Sequence, residues 1–250
     1  DYYVLTNPGQ SVTVEIDMDG DGVLDPVELN ADILGYPDSV RKYKAIEIFF
    51  ERAWDDTWFL QGSYTHAKSE GNNEGFVRSD NGQDDAGLTT NFDQPGLLDG
   101  GYGYLPNDRR HTLKIWGAWK FAPEFTLSGN LLWQSGRPIN CFGNHPTDEF
   151  AFEYGSESFY CQGELVPRGT RGRTDDITSL DLGLEYRPMW ADQKLAFKVD
   201  ATNVLGKQAE TEVYEWGEYD FDPGSVQPMY GIGTAWQEQR TVRLSVSFDW

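Results

Sequence analysis

The sequence predicts an all-β fold, an antiparallel transmembrane β-barrel, on three observations. Apolar and polar residues alternate, the alternating segments are about long enough to cross a bilayer as tilted strands, and short connections alternate with long ones. The 250 residues contain no apolar run long enough for a transmembrane helix, and they show no signal-peptide pattern. A polar average composition with 14% aromatic residues still suits barrel strands, because only one face of such a strand is apolar.

The clearest strand is predicted at residues 240–250, where apolar and polar side chains alternate throughout. A period of two over this length indicates one apolar and one polar face. Weaker versions of the pattern complete a set of seven predicted strands, and residues 1–6 are interpreted as the end of an eighth. The other six strands are predicted within residues 41–53, 57–68, 112–120, 125–134, 179–186 and 194–202.

The connections fall into two classes. Tight turns are predicted near residues 54–57, 121–124 and 187–193, as expected on the periplasmic side of an outer-membrane barrel, whose extracellular loops are long. A soluble β-sandwich also alternates apolar and polar residues, but it should not sort its connections so regularly. Aromatic residues near the strand ends suit interfacial girdles. The long loops are predicted at 6–38, 70–109, 136–176 and 206–238.

The acidic charge is concentrated in these four loops. The formal net charge is -21, and the loops hold 30 of the 41 acidic residues but only 7 of the 20 basic ones. A negative field disfavours nucleic acid as a partner and concentrates cations or cationic substrates.

Both cysteines, Cys141 and Cys161, fall in the loop 136–176. A pair inside one polar loop predicts a disulfide bond formed in an oxidising compartment. Two free thiols are the alternative, and a zinc site would need more Cys or His residues nearby.

Residues 17–28 match the twelve-residue calcium loop D-x-D-x-D-G-x5-E in full. Flanking helices are not predicted, because residues 11–16 alternate like a strand and Pro26 disfavours an early helix. We therefore predict a structural Ca²⁺ site on a strand scaffold, with a weak affinity of about 10⁻⁴–10⁻³ M. The alternative is an acidic turn that binds nothing tightly. The predicted oxygen ligands are those of Asp17, Asp19, Asp21, the Val23 carbonyl, Asp25 and Glu28.

No catalytic set is recognisable, and we predict that the chain is not an enzyme. Paired carboxylates can perform acid–base chemistry. Those of the loop 70–109, which include Asp80, Asp84, Asp85 and Asp93, lie in a Gly- and Asn-rich stretch and are interpreted as a solvated loop.

The remaining polar and aromatic groups are weak signals. His66, His111 and His145 are far apart in the sequence and lack the spacing of metal ligands. The basic run 168–173 either clamps an acidic group on a substrate or lipopolysaccharide or, as we prefer, pairs with nearby acids. The loop aromatics suit a binding surface, but packing between the loops is the preferred use for most of them. They are Tyr102, Tyr104, Phe150, Phe152, Tyr154, Phe159, Tyr160, Tyr214, Trp216, Tyr219 and Phe221.

Several segments resemble TonB-dependent outer-membrane receptors. Residues 181–187, Asp-Leu-Gly-Leu-Glu-Tyr-Arg, and 195–205, Leu-Ala-Phe-Lys-Val-Asp-Ala-Thr-Asn-Val-Leu, resemble the penultimate hairpin of that family. The strand end Asn203-Val204-Leu205-Gly206 and a last strand from Arg240 to the aromatic Trp250 fit the same pattern. Asp108-Arg-Arg-His-Thr-Leu-Lys and Gln134-Ser-Gly-Arg-Pro-Ile-Asn-Cys-Phe-Gly are similar to the narrower Oar-like group.

The resemblance covers residues 40–250 and implies an architecture. The whole chain, 1–250, is expected to be the C-terminal part of the barrel domain and to supply the last seven or eight strands of a barrel of about 22, with long extracellular loops. The location implied is the outer membrane of a Gram-negative bacterium. The plug domain and TonB box of the family are not among these residues, and Phe248 and Trp250 resemble its C-terminal assembly signal.

The resemblance also implies a function. The chain would form the barrel wall and the ligand-recognition loops of a TonB-dependent transporter for a nutrient too large for porins. Its implied partners are outer-membrane lipid and lipopolysaccharide, an N-terminal plug with the remaining strands, and TonB through that plug. A surface lipoprotein or a small-molecule, peptide or glycan substrate is also expected. A free-standing outer-membrane adhesin or small porin-like barrel is the alternative.

Overall fold

Antiparallel strands dominate the fold. The computed structural model describes residues 10–30, 35–83 and 89–250, so the strand end predicted at residues 1–6 lies outside the described residues. The described strands are β1 (Val12–Ile16), β2 (Asp25–Leu29), β3 (Arg41–Arg52), β4 (Trp58–Gly71), β5 (Gly103–Tyr104), β6 (His111–Ala122), β7 (Phe125–Gln134), β8 (Tyr160–Cys161), β9 (Glu164–Leu165), β10 (Ile177–Tyr186), β11 (Leu195–Thr202), β12 (Glu210–Val213), β13 (Gly233–Trp236) and β14 (Thr241–Phe248).

Seven long strands form one sheet in the order β3, β4, β6, β7, β10, β11 and β14, and β5 pairs with the end of β4. All seven predicted strands are therefore confirmed. The turns at residues 53–57, 123–124 and 187–194 lie at one end of the sheet. The described residues of the long connections, 72–83, 89–110, 135–176 and 203–240, lie at the other. Within the described residues the sheet is open, with β3 and β14 at its edges.

The two faces of the sheet differ because the strand register keeps like residues side by side. On one face Leu184 pairs with Val199, which pairs with Leu244, and their exposed fractions are 39%, 42% and 77%. On the other face Asp200 pairs with Arg243. A continuous apolar face that protein does not cover is unusual for a soluble domain and suits contact with lipid.

The buried apolar residues lie mainly outside the sheet. Among the described residues, Ala67 and Ala196 are the only buried apolar residues of the seven long strands. The others, such as Leu97, Leu105 and Phe159, belong to the long connections. The hydrophobic core therefore forms at the loop end, while the strands leave their apolar side chains facing outward.

Helices are short in the part of the chain that the structure describes. They are α1 (Glu149–Phe152) and three 3₁₀ turns at Ser79–Asn81, Pro95–Leu98 and Met189–Ala191. None of them has the length or apolar character to span a bilayer.

Candidate functional site

The three long connections pack against one another at one end of the sheet. The first connection is described at residues 72–83 and 89–110, the second is 135–176 and the third is 203–240. We call these described residues together the loop cap. Backbone hydrogen bonds join the second and third connections, as from the Phe142 N–H to the Glu215 carbonyl at 2.8 Å. A side-chain bond joins the first and second, from Arg78 Nη1 to Glu157 Oε2 at 2.9 Å. These bonds make one structure of loops that are distant in sequence.

A buried ion cluster lies at the centre of the loop cap. Asp80 accepts hydrogen bonds from Arg78 Nε at 3.0 Å, Arg168 Nη1 at 2.8 Å and Asn140 Nδ2 at 3.1 Å. Neither guanidinium group is solvent-exposed. Burial alone would raise the pKa of Asp80, but the charges of Arg168 and Arg78 outweigh it and hold that pKa below its usual range. The carboxylate is thus ionised and fixed between two connections.

Aromatic rings cover the same cluster. The Arg168 guanidinium lies 4.6 Å from the centre of the Phe159 ring, and that of Arg78 lies 4.6 Å from the Phe142 ring. Such contacts add cation–π attraction in a place that water does not reach. Two arginines of the basic run 168–173 therefore pair with acids, as we preferred: Arg168 with Asp80 and Arg173 with the buried Asp108.

The interpretation of the loop 70–109 as wholly solvated is wrong for Asp80 and Asp108, which are 4% and 1% exposed. Each of these two carboxylates pairs with an arginine of the second connection, Arg168 for Asp80 and Arg173 for Asp108, which residue spacing within one loop does not reveal. Asp93 is an exposed residue, and partial burial of its carboxyl group raises its pKa. Asp84 and Asp85 lie outside the described residues.

Two more buried carboxylates belong to the third connection. Glu215 pairs with Arg137 and accepts from the Asn140 N–H at 2.7 Å. Burial raises the pKa of Glu215 to about 7, with Arg137 acting in the opposite direction. Glu218 accepts from the backbone of Asn144 at 2.8 Å and of Gly163 at 3.0 Å. These carboxylates fix the second connection to the third.

The predicted disulfide bond is present, between Cys141 and Cys161. It packs with Val166 and Tyr230 in a small apolar cluster. Gly217 lies directly against it, since a Cβ atom there would come within 2.3 Å of the Cys141 sulfur. The cross-link therefore supports the packing of the third connection as well as the shape of its own loop.

The outer surface of the loop cap combines aromatic and acidic side chains. Phe150 and Phe221 are 66% and 59% exposed, and Tyr219 and Tyr102 are also exposed. Most of the other predicted loop aromatics are buried or half-buried, so packing is their main use, as expected. Glu149 adjoins Phe150 in α1, and acidic residues flank Phe221 in the sequence. We call Phe150, Tyr219 and Phe221 the exposed aromatic set.

The predicted calcium loop joins β1 to β2. Carboxylate oxygens of Asp17, Asp19 and Asp21 lie within 4.8 Å of one another. Asp17 accepts from the backbone N–H of Gly20 at 2.7 Å and of Gly22 at 2.9 Å. These bonds fold the turn so that three carboxylates converge.

The structure does not place Asp25 and Glu28 in that cluster. Both belong to β2, where Asp25 pairs with Ile16 and Glu28 pairs with Thr13. Because a strand rises about 3.3 Å per residue, Glu28 lies about 10 Å beyond Asp25 along the hairpin. Val23 follows the carboxylates, and its N–H donates to Asp21 at 2.7 Å.

Asn203 explains one motif that suggested a receptor. It directly follows β11 and has a left-handed φ of 46°, a conformation that Asn tolerates better than most residues. Its side-chain amide donates to the Lys207 and Glu238 carbonyls at 2.7 and 2.8 Å. Asn203 therefore holds together both ends of the third connection.

Comparison with known proteins decides the family. No family model matches the sequence. Over 184 residues, or 71% of the chain, it is 33% identical to the TonB-dependent transporter Oar of Myxococcus xanthus. This chain is part of the barrel of a TonB-dependent receptor. It spans 16% of the length of that relative.

One solved structure supports the fold of this receptor segment. The outer membrane transporter YddB from Escherichia coli gives a TM-score of 0.51 at 14% identity, over 96% of this chain and 28% of YddB. The siderophore receptor PiuA from Acinetobacter baumannii gives a TM-score of 0.49 at 15% identity, over 84% of this chain and 22% of PiuA. The receptor segment belongs to the outer membrane of a Gram-negative bacterium, as predicted.

Proposed function

We propose that this receptor segment forms part of the barrel wall and the ligand-recognition loops of a TonB-dependent transporter for a nutrient too large for porins. The observation that carries the proposal is the loop cap, which three connections build above a sheet with one outward apolar face. Loops held in place on a membrane-embedded scaffold suit the selective binding of a nutrient at the cell surface. The whole protein then needs a plug, the remaining strands and TonB as partners, and no catalytic step.

The exposed aromatic set is the proposed contact surface for substrate. Aromatic side chains give large contact areas to glycans, peptides and other amphipathic molecules. The acidic loops around it favour substrates with cationic groups. A surface lipoprotein is a further candidate for the same surface.

Uptake by the full-length receptor tests this proposal. A strain carrying Phe150→Ala, Tyr219→Ala and Phe221→Ala together is compared with one carrying Phe76→Ala, which changes an aromatic residue of the first connection that is 80% exposed. On a panel of glycans, peptides and chelated metals, we expect a nutrient whose use needs both the receptor and TonB. The triple variant should lose that growth and Phe76→Ala should keep it. If a strain that lacks the receptor still grew on every nutrient of the panel, the proposal would be contradicted.

Lipid contacts are proposed for the outward face. Its apolar residues suit acyl chains. A basic patch lies at the loop end of β3 and β4, where Lys42 is opposite Glu70 and Lys44 is opposite Lys68 in the strand register. Lysine ammonium groups at the loop end of the sheet can bind the phosphate groups of lipopolysaccharide. Native mass spectrometry of a Lys42→Gln, Lys44→Gln variant should show less retained lipopolysaccharide than the parent, and equal retention would contradict the contact.

A structural Ca²⁺ ion is proposed for the β1–β2 loop. Asp17, Asp19 and Asp21 offer converging hard oxygen ligands, and the Val23 carbonyl is a further candidate. Asp25 and Glu28 would need the hairpin to bend before they could bind the same ion. Phe248 and Trp250, 60% and fully exposed, keep their proposed role as an assembly signal.

Calorimetry of the full-length receptor tests the ion. We expect Ca²⁺ uptake that Asp17→Asn abolishes. If Glu28→Gln leaves the affinity unchanged, the three converging aspartates suffice, and if it weakens binding, the loop closes on Glu28. No uptake by the parent protein would contradict the site.

A further inference from the structure

Two histidines that are 45 residues apart in the sequence meet on the outward face of the sheet. His66 of β4 and His111 of β6 are register partners. Their Nδ1 atoms lie 3.5 Å apart, and their ring centres lie 4.9 Å apart. Spacing along one segment gave no sign of this proximity, because the antiparallel pairing of β4 with β6 supplies it.

A third polar group points to the same place. The Tyr64 hydroxyl lies 2.7 Å from His111 Nδ1. The His111 ring also stacks against Trp133 of β7, with ring centres 5.9 Å apart and planes 20° apart. Neighbouring strands thus hold the His111 imidazole in place, and His66 remains exposed.

The spacing of the two nitrogens suits a metal ion. Zinc binds imidazole nitrogen at about 2.0–2.1 Å with tetrahedral angles, which places two such nitrogens about 3.4 Å apart. Neutral imidazole is a common ligand of zinc, nickel and copper ions. We propose that His66 and His111, with the Tyr64 hydroxyl as a weaker third group, bind a divalent transition-metal ion at the loop end of the sheet. Water from the exposed side of His66 completes the coordination.

The position of the histidine pair fits such a site. Lys68, two residues beyond His66 on β4, is paired with Glu70, so its positive charge is balanced. Next to the histidine pair, the Ala67 N–H donates to the Arg110 carbonyl at 3.1 Å, where the first long connection returns to the sheet. A bound ion would join β4 to β6 at the base of that connection. Because only the folded sheet brings the two histidines together, binding stabilises the folded protein.

Copper EPR on the full-length receptor tests the site. The protein is purified in detergent without a polyhistidine tag, stripped with EDTA and titrated with Cu²⁺. We expect a signal from two coordinated nitrogens in the parent protein. His66→Gln and His111→Gln should each lose that signal and bind Cu²⁺ at least tenfold more weakly. His145→Gln is the matched control, since His145 pairs with Asp99 in the loop cap, and it should keep the signal.

Thermal unfolding supplies a second readout. Zn²⁺ should raise the melting temperature of the parent and of His145→Gln, and it should leave that of the His66→Gln, His111→Gln double variant unchanged. Absence of a two-nitrogen signal from the parent overturns the proposal without reference to any variant. An unchanged signal in the double variant, folded as judged by gel mobility before heating, also overturns it.

Discussion

Arg168 and Asp80 lie 88 residues apart in the sequence and form an ion pair of 2.8 Å that solvent does not reach on either side. Arg78 binds the same carboxylate and also pairs with Glu157, so two acids compensate two buried guanidinium groups. Removing one member of such a set leaves charge buried without a partner, which costs far more than the loss of a surface pair. The stability of the loop cap therefore depends on Asp80.

Asp80→Asn should destabilise the loop cap by about 3–5 kcal/mol, because the amide removes the carboxylate that pairs with the buried Arg168 and leaves Arg78 with Glu157 alone. Hydrogen exchange of the full-length receptor should show faster exchange in the second and third connections, with the strands unchanged. Glu149→Gln, an exposed acid of α1, is the control and should change little. Equal protection in parent and Asp80→Asn would contradict the role of this carboxylate.

The disulfide bond should contribute to the same structure. Its cysteines are separated by 20 residues, and closing a loop of this size stabilises by about 3 kcal/mol in the chain-entropy model. The Cys141→Ser, Cys161→Ser double variant should therefore be cut faster by protease within residues 136–176. Reducing agent should reproduce the effect in the parent but not add to it in the variant. If the double variant were cut at the parent rate, the buried polar contacts alone would be enough to hold this loop, and the predicted contribution of the disulfide bond would be contradicted.

The raised pKa of Glu215 predicts that the stability of the loop cap depends on pH. Its folded pKa of about 7 lies above the usual 4.5, so the folded protein binds more protons than the unfolded chain between these values. The unfolding free energy of the loop cap should thus fall by up to about 3 kcal/mol as pH rises from 4.5 to 7, and then level off. Hydrogen exchange of residues 137–144, corrected for intrinsic rates, measures this change. Glu215→Gln should flatten it, Asp222→Asn should not, and identical profiles would refute the assignment.

The lipid-facing side of the sheet predicts that neighbouring residues of β14 differ in how well they tolerate a charged side chain. Leu244→Arg places a charge against lipid, which costs about 2–4 kcal/mol near the bilayer centre. Ser245→Arg places the same charge on the polar face, beside Lys198. The fraction of receptor that migrates as folded barrel before heating should fall for Leu244→Arg and remain higher for Ser245→Arg. Equal losses would contradict the two-faced strand.

The sheet was predictable because its information is local. A period of two, short turns and long loops are read within one segment, and β14 ends within two residues of the predicted strand at either end. Residues 41–52 fitted the pattern less well because apolar residues such as Phe49 and Phe50 adjoin there, yet they form β3. Pairing with β4 over the full strand determines its register.

The loop cap was not predictable in the same way. Asp80 meets Arg168 through the packing of two connections, and His66 meets His111 through the pairing of β4 with β6. Neither proximity has a signature in the spacing of one segment. The cysteine pair was the exception, because two cysteines in one loop permit only one internal bridge. In the calcium motif the pattern identified three converging aspartates, but strand pairing in β2 carried Glu28 away from them.

Site-directed spin labelling along β14 tests the central claim, that this chain is a lipid-facing part of a receptor barrel. Single cysteines at positions 242–247 of the full-length receptor are labelled in bilayers, and collision rates are measured with oxygen and with a water-soluble nickel complex. Oxygen should dominate at Val242, Leu244 and Val246, and the nickel complex at Arg243, Ser245 and Ser247. Accessibility without this alternation, or with the two faces reversed, would contradict the account.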